Sequence, residues 1–368
     1  MGASTCYHLA RRGVRVLGLE QFDIPHGRGS HHGHSRVIRL VYFEHPDYVT
    51  LLRRSYENWR DLEAESGQKL LYLTGGLYLG HPDGSVITKT VAVARGHGLN
   101  HQLLDRNEMA SRYPQFHLTE DFVGFFEPDA GFVTASRAVA TFAHQALCGG
   151  AELHGHEPVL DWEESSGGVT VNTPKGRYRA DTVVFCGGAW SSRLLGDLGV
   201  KLTVTRQVMV WVWPRDPASF QLGQFPIWCL DRSSTGPFTG VHYGFPMIPD
   251  EPGLKLALHF PGTLTDPDCV VHEPADGDEE TIRPLLRQII PDGDGPLLAI
   301  RPCLYTSTPD SHFIVDRHPQ RGRAVVACGF SGHGFKFAAV MGEVLADLVT
   351  TGRSELPLDL FSLSRFSS

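Results

Sequence analysis

Gly329-Phe330-Ser331-Gly332-His333-Gly334-Phe335-Lys336-Phe337 follows a short apolar run, Ala324–Cys328, and leads into a helical pattern over Ala338–Val349. A strand, a glycine-rich turn and a helix start in that order make an anion cradle. The glycines let backbone N–H groups approach a ligand closely, and the helix N-terminus adds partial positive charge. Lys336 places a cation inside the turn, which points to an acidic small molecule beside a bound cofactor. Three glycines alone favour a plain structural loop; the lysine and the segments below reverse that reading.

The start of the chain carries the matching half of such a site. Met1-Gly2-Ala3-Ser4-Thr5 runs into an amphipathic helix, Cys6–Arg12, closed by Gly13; Val14–Leu19 then reads as a buried strand ending in Glu20. Helix, glycine stop, strand and terminal acid form the back half of a dinucleotide-binding βαβ unit, with the acid about 20 residues after the last glycine to accept from a ribose hydroxyl. Gly2 is the third glycine of G-x-G-x-x-G; the first strand and first two glycines are missing from this sequence. A surface helix–strand pair with a chance glutamate fits this half-motif equally well. We expect Met1 to be an internal methionine of the natural protein, so that upstream codons encode an apolar strand ending in Gly-x-Gly.

At 368 residues the chain can bury a large core and is expected to form two domains. A formal charge of −8 argues against a general nucleic-acid surface. The seven cysteines are scattered without C-x-x-C spacing, so a disulfide framework or zinc site is not expected. His31, His32 and His34 stand too close in sequence to converge on one metal ion, and no metal is expected. No apolar run approaches a membrane span, there is no secretory signal pattern, and the Ser364–Ser368 ending is not a peroxisomal Ser-Lys-Leu signal. The expected compartment is the cytoplasm.

Tyr48, Leu51, Leu52, Tyr56, Trp59 and Leu62 recur at helical spacing up to Gly67, and a second helix is expected over Thr134–Leu147. Leu70–Leu73, Leu77–Gly80 and Thr182–Cys186 read as strands, the last opening onto Gly187-Gly188. Leu202–Pro261 is strand-rich with a two-residue period, and Thr281–Ile290 is a short helix with Pro284 in its first turn. Cofactor-type segments thus come at the start, middle and end, with β-rich material between. The expected fold class is α/β with an α+β second layer. The cofactor domain takes residues 1–70, 134–203 and 311–368, interwoven with a substrate domain of residues 71–133 and 204–310.

Several segments together resemble the monomeric sarcosine oxidase family of flavoproteins, with its N-methyltryptophan and sarcosine/pipecolate oxidase relatives. They are Gly29–Arg39, Phe126–Gly131, Gly187–Trp190, Tyr243–Pro246, Gly253–Leu256, Cys303–Thr306 and the Gly329–Phe337 loop. The sequence departs from the family pattern at its N-terminus, at His34, where bacterial members often carry aspartate, and by one extra residue between Tyr243 and Lys255.

The resemblance implies a Rossmann-like FAD-binding domain and oxidation of a secondary amine. Hydride passes to flavin N5, the imine hydrolyses, and O₂ becomes hydrogen peroxide. It assigns Cys303 the thioether to FAD, although a lone cysteine in an apolar strand is usually a buried hydrophobe. A nearby positive charge is expected to favour the thiolate. Arg39 and Lys336 are implied to clamp a substrate carboxylate, one by a planar fork and one as a point charge. Lys255 is implied to activate oxygen and Arg36 to tune the flavin; a lysine blunting a strand edge is the plain alternative for Lys255. Tyr243, His259 and Tyr305 are implied to line the amine end, His259 with the option of shuttling a proton. Gly332 belongs to the substrate side of the loop. Gly2, Glu20, Ser30, His32, Val159, Gly187, Gly188, Gly329, Ser331 and Gly334 are implied cofactor contacts, and structural roles for His32 and His259 stay open.

The favoured substrate is sarcosine or another N-methyl amino acid. N-methyltryptophan, pipecolate or proline, and glycated amino acids are alternatives, as is a dehydrogenase that passes electrons to a carrier instead of O₂. A flavin-free relative that binds a carboxylate ligand is the alternative from outside the enzyme class. The family habit is monomeric.

Overall fold

The computed structural model describes residues 1–118, 121–232, 240–249, 251 and 253–367. The strand-rich reading of Leu202–Pro261 therefore includes residues 233–239, 250 and 252, which lie outside the described residues, as does Ser368.

Helix Gly2–Arg11 buries Cys6, Tyr7, Leu9 and Ala10 and ends where Gly13 turns left-handed at φ 73°. The expected strand from Val14 is shorter, Leu17–Leu19. Val14 N–H is used to close the helix, donating to Leu9 O at 3.1 Å, so the chain becomes extended only beyond it. Helix Tyr48–Ser66 buries Tyr48, Leu51, Leu52, Tyr56, Trp59 and Leu62 on one stripe and stops at Gly67, φ 67°. These two helices share a core with Ala135–Cys148 and the start of Ala338–Thr350, through Tyr7, Trp59, Phe142 and Ala339. The expected helix over Thr281–Ile290 begins only at Arg283, because a 3₁₀ turn, Glu279–Thr281, precedes it.

The largest sheet has nine strands among the described residues, running Thr263–Leu264, Thr203–Val212, Leu254–Phe260, Val241–Phe245, Ile227–Asp231, Gly76–Gly80, Val123–Glu127 and Gln102–Leu104, with Leu297–Ser307 also paired to Thr203–Val212. Leu254–Phe260 lies between two antiparallel neighbours and is an interior strand. Leu17–Leu19 pairs in parallel with Glu152–His154, and Val183–Phe185 with Arg321–Cys328, which also pairs with Ile314–His318. Ser35–Ile38 and Leu71–Leu73 flank Gly131–Thr134 in a small sheet that carries the chain from the helical layer to the large sheet. The fold is α/β, with several sheets and helices packed against them. No described helix is long and apolar enough to cross a membrane.

Candidate active site

Arg39 follows the strand Ser35–Ile38, and Lys336 sits in the 3₁₀ turn Phe335–Phe337 that opens the last long helix. Both are about 5% exposed. They meet over one ring: Arg39 Cζ lies 4.3 Å and Lys336 Nζ 5.2 Å from the centroid of Tyr42. Arg39 Nη2 donates to Glu44 Oε1 and Oε2 at 2.6 and 2.7 Å and Nη1 to Val41 O at 3.0 Å, so both terminal nitrogens are engaged within the chain itself. Lys336 Nζ donates to His333 O at 2.8 Å. Burial, with Arg39 beside it, lowers the Lys336 ammonium to about 7, against the pull of Glu44. Burial works most strongly against the Arg39 charge, but Glu44 together with Tyr78, Tyr42 and Cys229 more than offsets it and the guanidinium stays charged.

His259 Nδ1 lies 3.0 Å from Tyr305 Oη, and the Tyr243 ring stands 6.2 Å from the His259 ring. Burial, reinforced by His333, Lys336 and Arg39, lowers His259 to about 3. Burial thus favours the neutral imidazole and makes it a weaker base than a free histidine. Lys336 and Arg39 also act electrostatically on His259, which brings the cationic and aromatic clusters into one field. The glycine loop closes against it: Gly332 has φ 77°, and a Cβ there would collide with the Tyr305 ring.

Lys255 is 2% exposed on the interior strand, which rules out the strand-edge alternative. Its Nζ donates to Gly33 O at 2.6 Å, Ser35 O at 2.7 Å and Ser35 Oγ at 3.1 Å, and lies over Phe245 and Trp211. Burial and then Arg36 push its pKa well down, while Glu251 and Cys303 pull it up. Arg36 donates to Ser35 O at 2.8 Å and Ser30 O at 2.9 Å. Cys303 is buried opposite Gln207 in the strand pair. Burial raises its thiol above the ordinary value despite Arg36, Lys255 and Arg206, so the expected thiolate is not preformed. Ser30 Oγ is spent on Leu304 O at 2.5 Å. His32 Nε2 is buried with no hydrogen-bond partner among the described residues.

Where the first strand ends, Glu20 Oε1 accepts from Phe22 N–H at 3.0 Å and Oε2 lies 3.5 Å from His26 Nε2. Glu157 N–H donates to Glu20 O at 2.8 Å, and Val159, partly buried, follows two residues later. Gly2 opens a helix with no side-chain cap and no acid in its first turn, leaving its N–H donors available. Gly187 packs under Ser191 and Leu194, while Gly188, φ 53°, faces open space. Gly329, φ 62°, and Gly334 are pressed against Thr308 and Phe330. Ser331 is left-handed at φ 47°, and its Oγ donates to Gly329 O at 3.0 Å.

Residues 1–348 match the family model described as DAO, FAD dependent oxidoreductase. The chain belongs to that family. It is 40% identical to monomeric sarcosine oxidase of Streptomyces avermitilis, over 100% of this chain and 96% of that protein. It is 32% identical to N-methyl-L-tryptophan oxidase of Salmonella agona, over 100% of this chain and 96% of that one. Among solved structures it resembles NikD, an unusual amino acid oxidase essential for nikkomycin biosynthesis, in its open form, with TM-score 0.86 and 25% identity over 98% of this chain and 94% of that one. The residues fit FAD: the orphaned His32 Nε2, the uncapped helix start at Gly2 and the open backbone at Gly188 are groups that a dinucleotide can satisfy.

Sequence reasoning missed Glu44, Tyr42, His333, Glu127 and Glu251. Glu127 lies in the Phe126–Gly131 segment but was given no role. It accepts from Leu40 N–H at 2.6 Å, Val41 N–H at 3.0 Å and Tyr78 Oη at 3.0 Å, fixing the backbone just past Arg39. Glu44 lies in irregular chain before the helix at Tyr48, where no periodicity marks a residue as inward-facing.

Proposed function

We propose that this FAD-dependent oxidoreductase oxidises a small secondary amine bearing a carboxylate, with sarcosine or another N-methyl amino acid as substrate. The observation that carries this reading is the division of one buried site: Arg39 and Lys336 share the Tyr42 ring, and the neutral His259–Tyr305 pair lies within reach of their field. A carboxylate belongs at the cationic end, taking the place of Glu44 on the Arg39 fork. An uncharged imidazole beside two tyrosines suits the neutral amine and does not repel its protonated form. Bound FAD supplies hydride acceptance and the reduction of O₂ to hydrogen peroxide. Lys255, held by three oxygens in a dry site, presents positive charge where oxygen gains electrons, and Arg36 lies in the same electrostatic cluster. Gly2, Glu20 and Val159 hold the adenosine and pyrophosphate half. Ser30, His32, Gly187, Gly188, Gly329, Ser331 and Gly334 face the cofactor, and Cys303 joins it covalently.

The two-domain division at the boundaries given above is part of this reading. The large sheet is built almost wholly from residues 71–133 and 204–310, and the parallel pairs of Leu17–Leu19 with Glu152–His154 and of Val183–Phe185 with Arg321–Cys328 come from the remainder. A monomer acting in the cytoplasm completes it. A peroxide-coupled screen of flavin-loaded protein over N-methyl, cyclic and glycated amino acids should give its highest kcat/KM with a small N-methyl amino acid. Turnover of primary amines alone, or no peroxide under air, would refute the reading.

A further inference from the structure

Glu251 is 4% exposed in the turn ahead of the strand Leu254–Phe260, four residues before Lys255. Its Oε1 lies 3.5 Å from His34 Nε2 and makes no hydrogen bond among the described residues. The same His34 Nε2 accepts from Arg301 Nη1 at 2.8 Å. A guanidinium only donates, so Nε2 presents its lone pair in that direction. A bare carboxylate gains nothing from such a ring nitrogen; a protonated carboxyl has a donor for it, which the single lone pair of Nε2 takes in exchange for the Arg301 N–H.

The backbone couples this pair to the lysine. Lys255 Nζ grips Gly33 O and Ser35 O, the carbonyls on either side of His34. His34 is held left-handed at φ 62°, and its own carbonyl accepts from Ala135 N–H at 2.5 Å. The His34 side chain is 36% exposed and that of Glu251 5%, so the imidazole stands between water and the buried acid. Among the described residues, the groups acting on Glu251 are Lys255 on the strand that follows it, Trp211 on Thr203–Val212, Arg301 on Leu297–Ser307, and His34 and Arg36 from the segment ahead of and entering Ser35–Ile38. Burial raises its carboxyl to about 7, opposed by Lys255, Trp211, Arg301 and Arg36.

We propose that Glu251 is a positioning residue for Lys255, its negative charge holding the lysine as an ammonium, and that His34 is the port through which Glu251 exchanges its proton with water. The proton balance is simple. As the Arg301 N–H leaves Nε2, Glu251–COOH gives its proton to that nitrogen and becomes the carboxylate, and the imidazolium releases the proton on its other nitrogen to solvent. No electrons move. With the carboxylate in place Lys255 keeps its proton to higher pH; without it, burial together with Arg36 and Arg301 strips the lysine sooner.

This inference rests on the reading of Lys255 as the oxygen-activating group, and the test separates the two. Flavin-loaded protein is reduced anaerobically and mixed with O₂ from about pH 5 to about pH 9. Wild type should lose reoxidation rate as pH rises. In Glu251→Gln the loss should move down by about one pH unit, a tenfold slower reaction on the slope, and Glu251→Asp should recover most of it. Infrared difference spectra of the flavin-free protein supply a readout independent of turnover: a protonated-carboxyl band should titrate near neutrality and vanish in Glu251→Gln. A Lys255→Met protein that reoxidises at wild-type speed defeats the lysine reading and this one with it. A slow Lys255→Met beside a Glu251→Gln protein with the wild-type pH profile overturns this inference alone. So does a wild-type carboxyl band that does not titrate, which keeps the test decisive if Glu251→Gln fails to fold.

Discussion

Lys336 makes carboxylate binding depend on pH in a way that can be calculated. Its ammonium is lowered to about 7 by burial and by Arg39, whereas Arg39 stays charged throughout. A group with a lowered lysine pKa carries its charge below that value and loses it above. A ligand that needs the ammonium therefore binds with constant affinity below about pH 7 and weakens about tenfold per pH unit above it, each unit being about 1.4 kcal/mol. By about pH 9 the loss approaches 100-fold, provided the bound carboxylate raises the lysine by about two pH units or more; a smaller rise ends the slope sooner. Acetate is the right probe, because it has no amine whose own titration would overlay the lysine's. Its dissociation constant can be read from perturbation of the flavin absorption band. Lys336→Met should bind more weakly at about pH 6 and show no slope. A wild-type affinity that is flat over the window, or a slope that survives in Lys336→Met, would refute the assignment of that charge to the carboxylate end.

Glu127→Ala strands the N–H groups of Leu40 and Val41 and the Tyr78 hydroxyl; at about 1 kcal/mol each, denaturant unfolding should show a loss of about 3 kcal/mol, and KM should rise because Arg39 is next to the loosened backbone. Gly332→Ala forces a side chain into the left-handed region and against Tyr305, so a destabilisation of about 1–3 kcal/mol and a raised KM are expected from thermal unfolding and steady-state kinetics. Acid precipitation of flavin-loaded protein should carry the yellow colour down with the wild type and leave it in the supernatant for Cys303→Ser; free flavin released from the wild type would contradict the thioether.

The site was legible unevenly. The Gly329–Phe337 turn could be read because strand, glycines and helix start follow one another within a few residues, each with its own local signature. Lys255 was ambiguous, since a lysine in an alternating strand faces water on an edge and a dry site in the interior, and the sequence does not say which neighbours the strand has. Burial, which no local pattern encodes, disfavours the charged forms of both Cys303 and His259. Glu44 and Glu251 carried no signal, because their partners Arg39 and His34 are fixed by turns and not by a repeat.

What the chain determined by itself is local: where helices stop at Gly13 and Gly67, which strands alternate, and the glycine turn that carries Lys336. These follow from backbone sterics and from side-chain periods of 3.6 and 2, which neighbours in sequence enforce. The tertiary structure alone decided which charges share a dry volume. It brought Arg39 from near residue 40 and Lys336 from the last long helix over one tyrosine ring, and set Glu251 against His34. Desolvation depends on everything packed around a group, so the protonation states on which the chemistry turns exist only once the sheet and helices have closed over them.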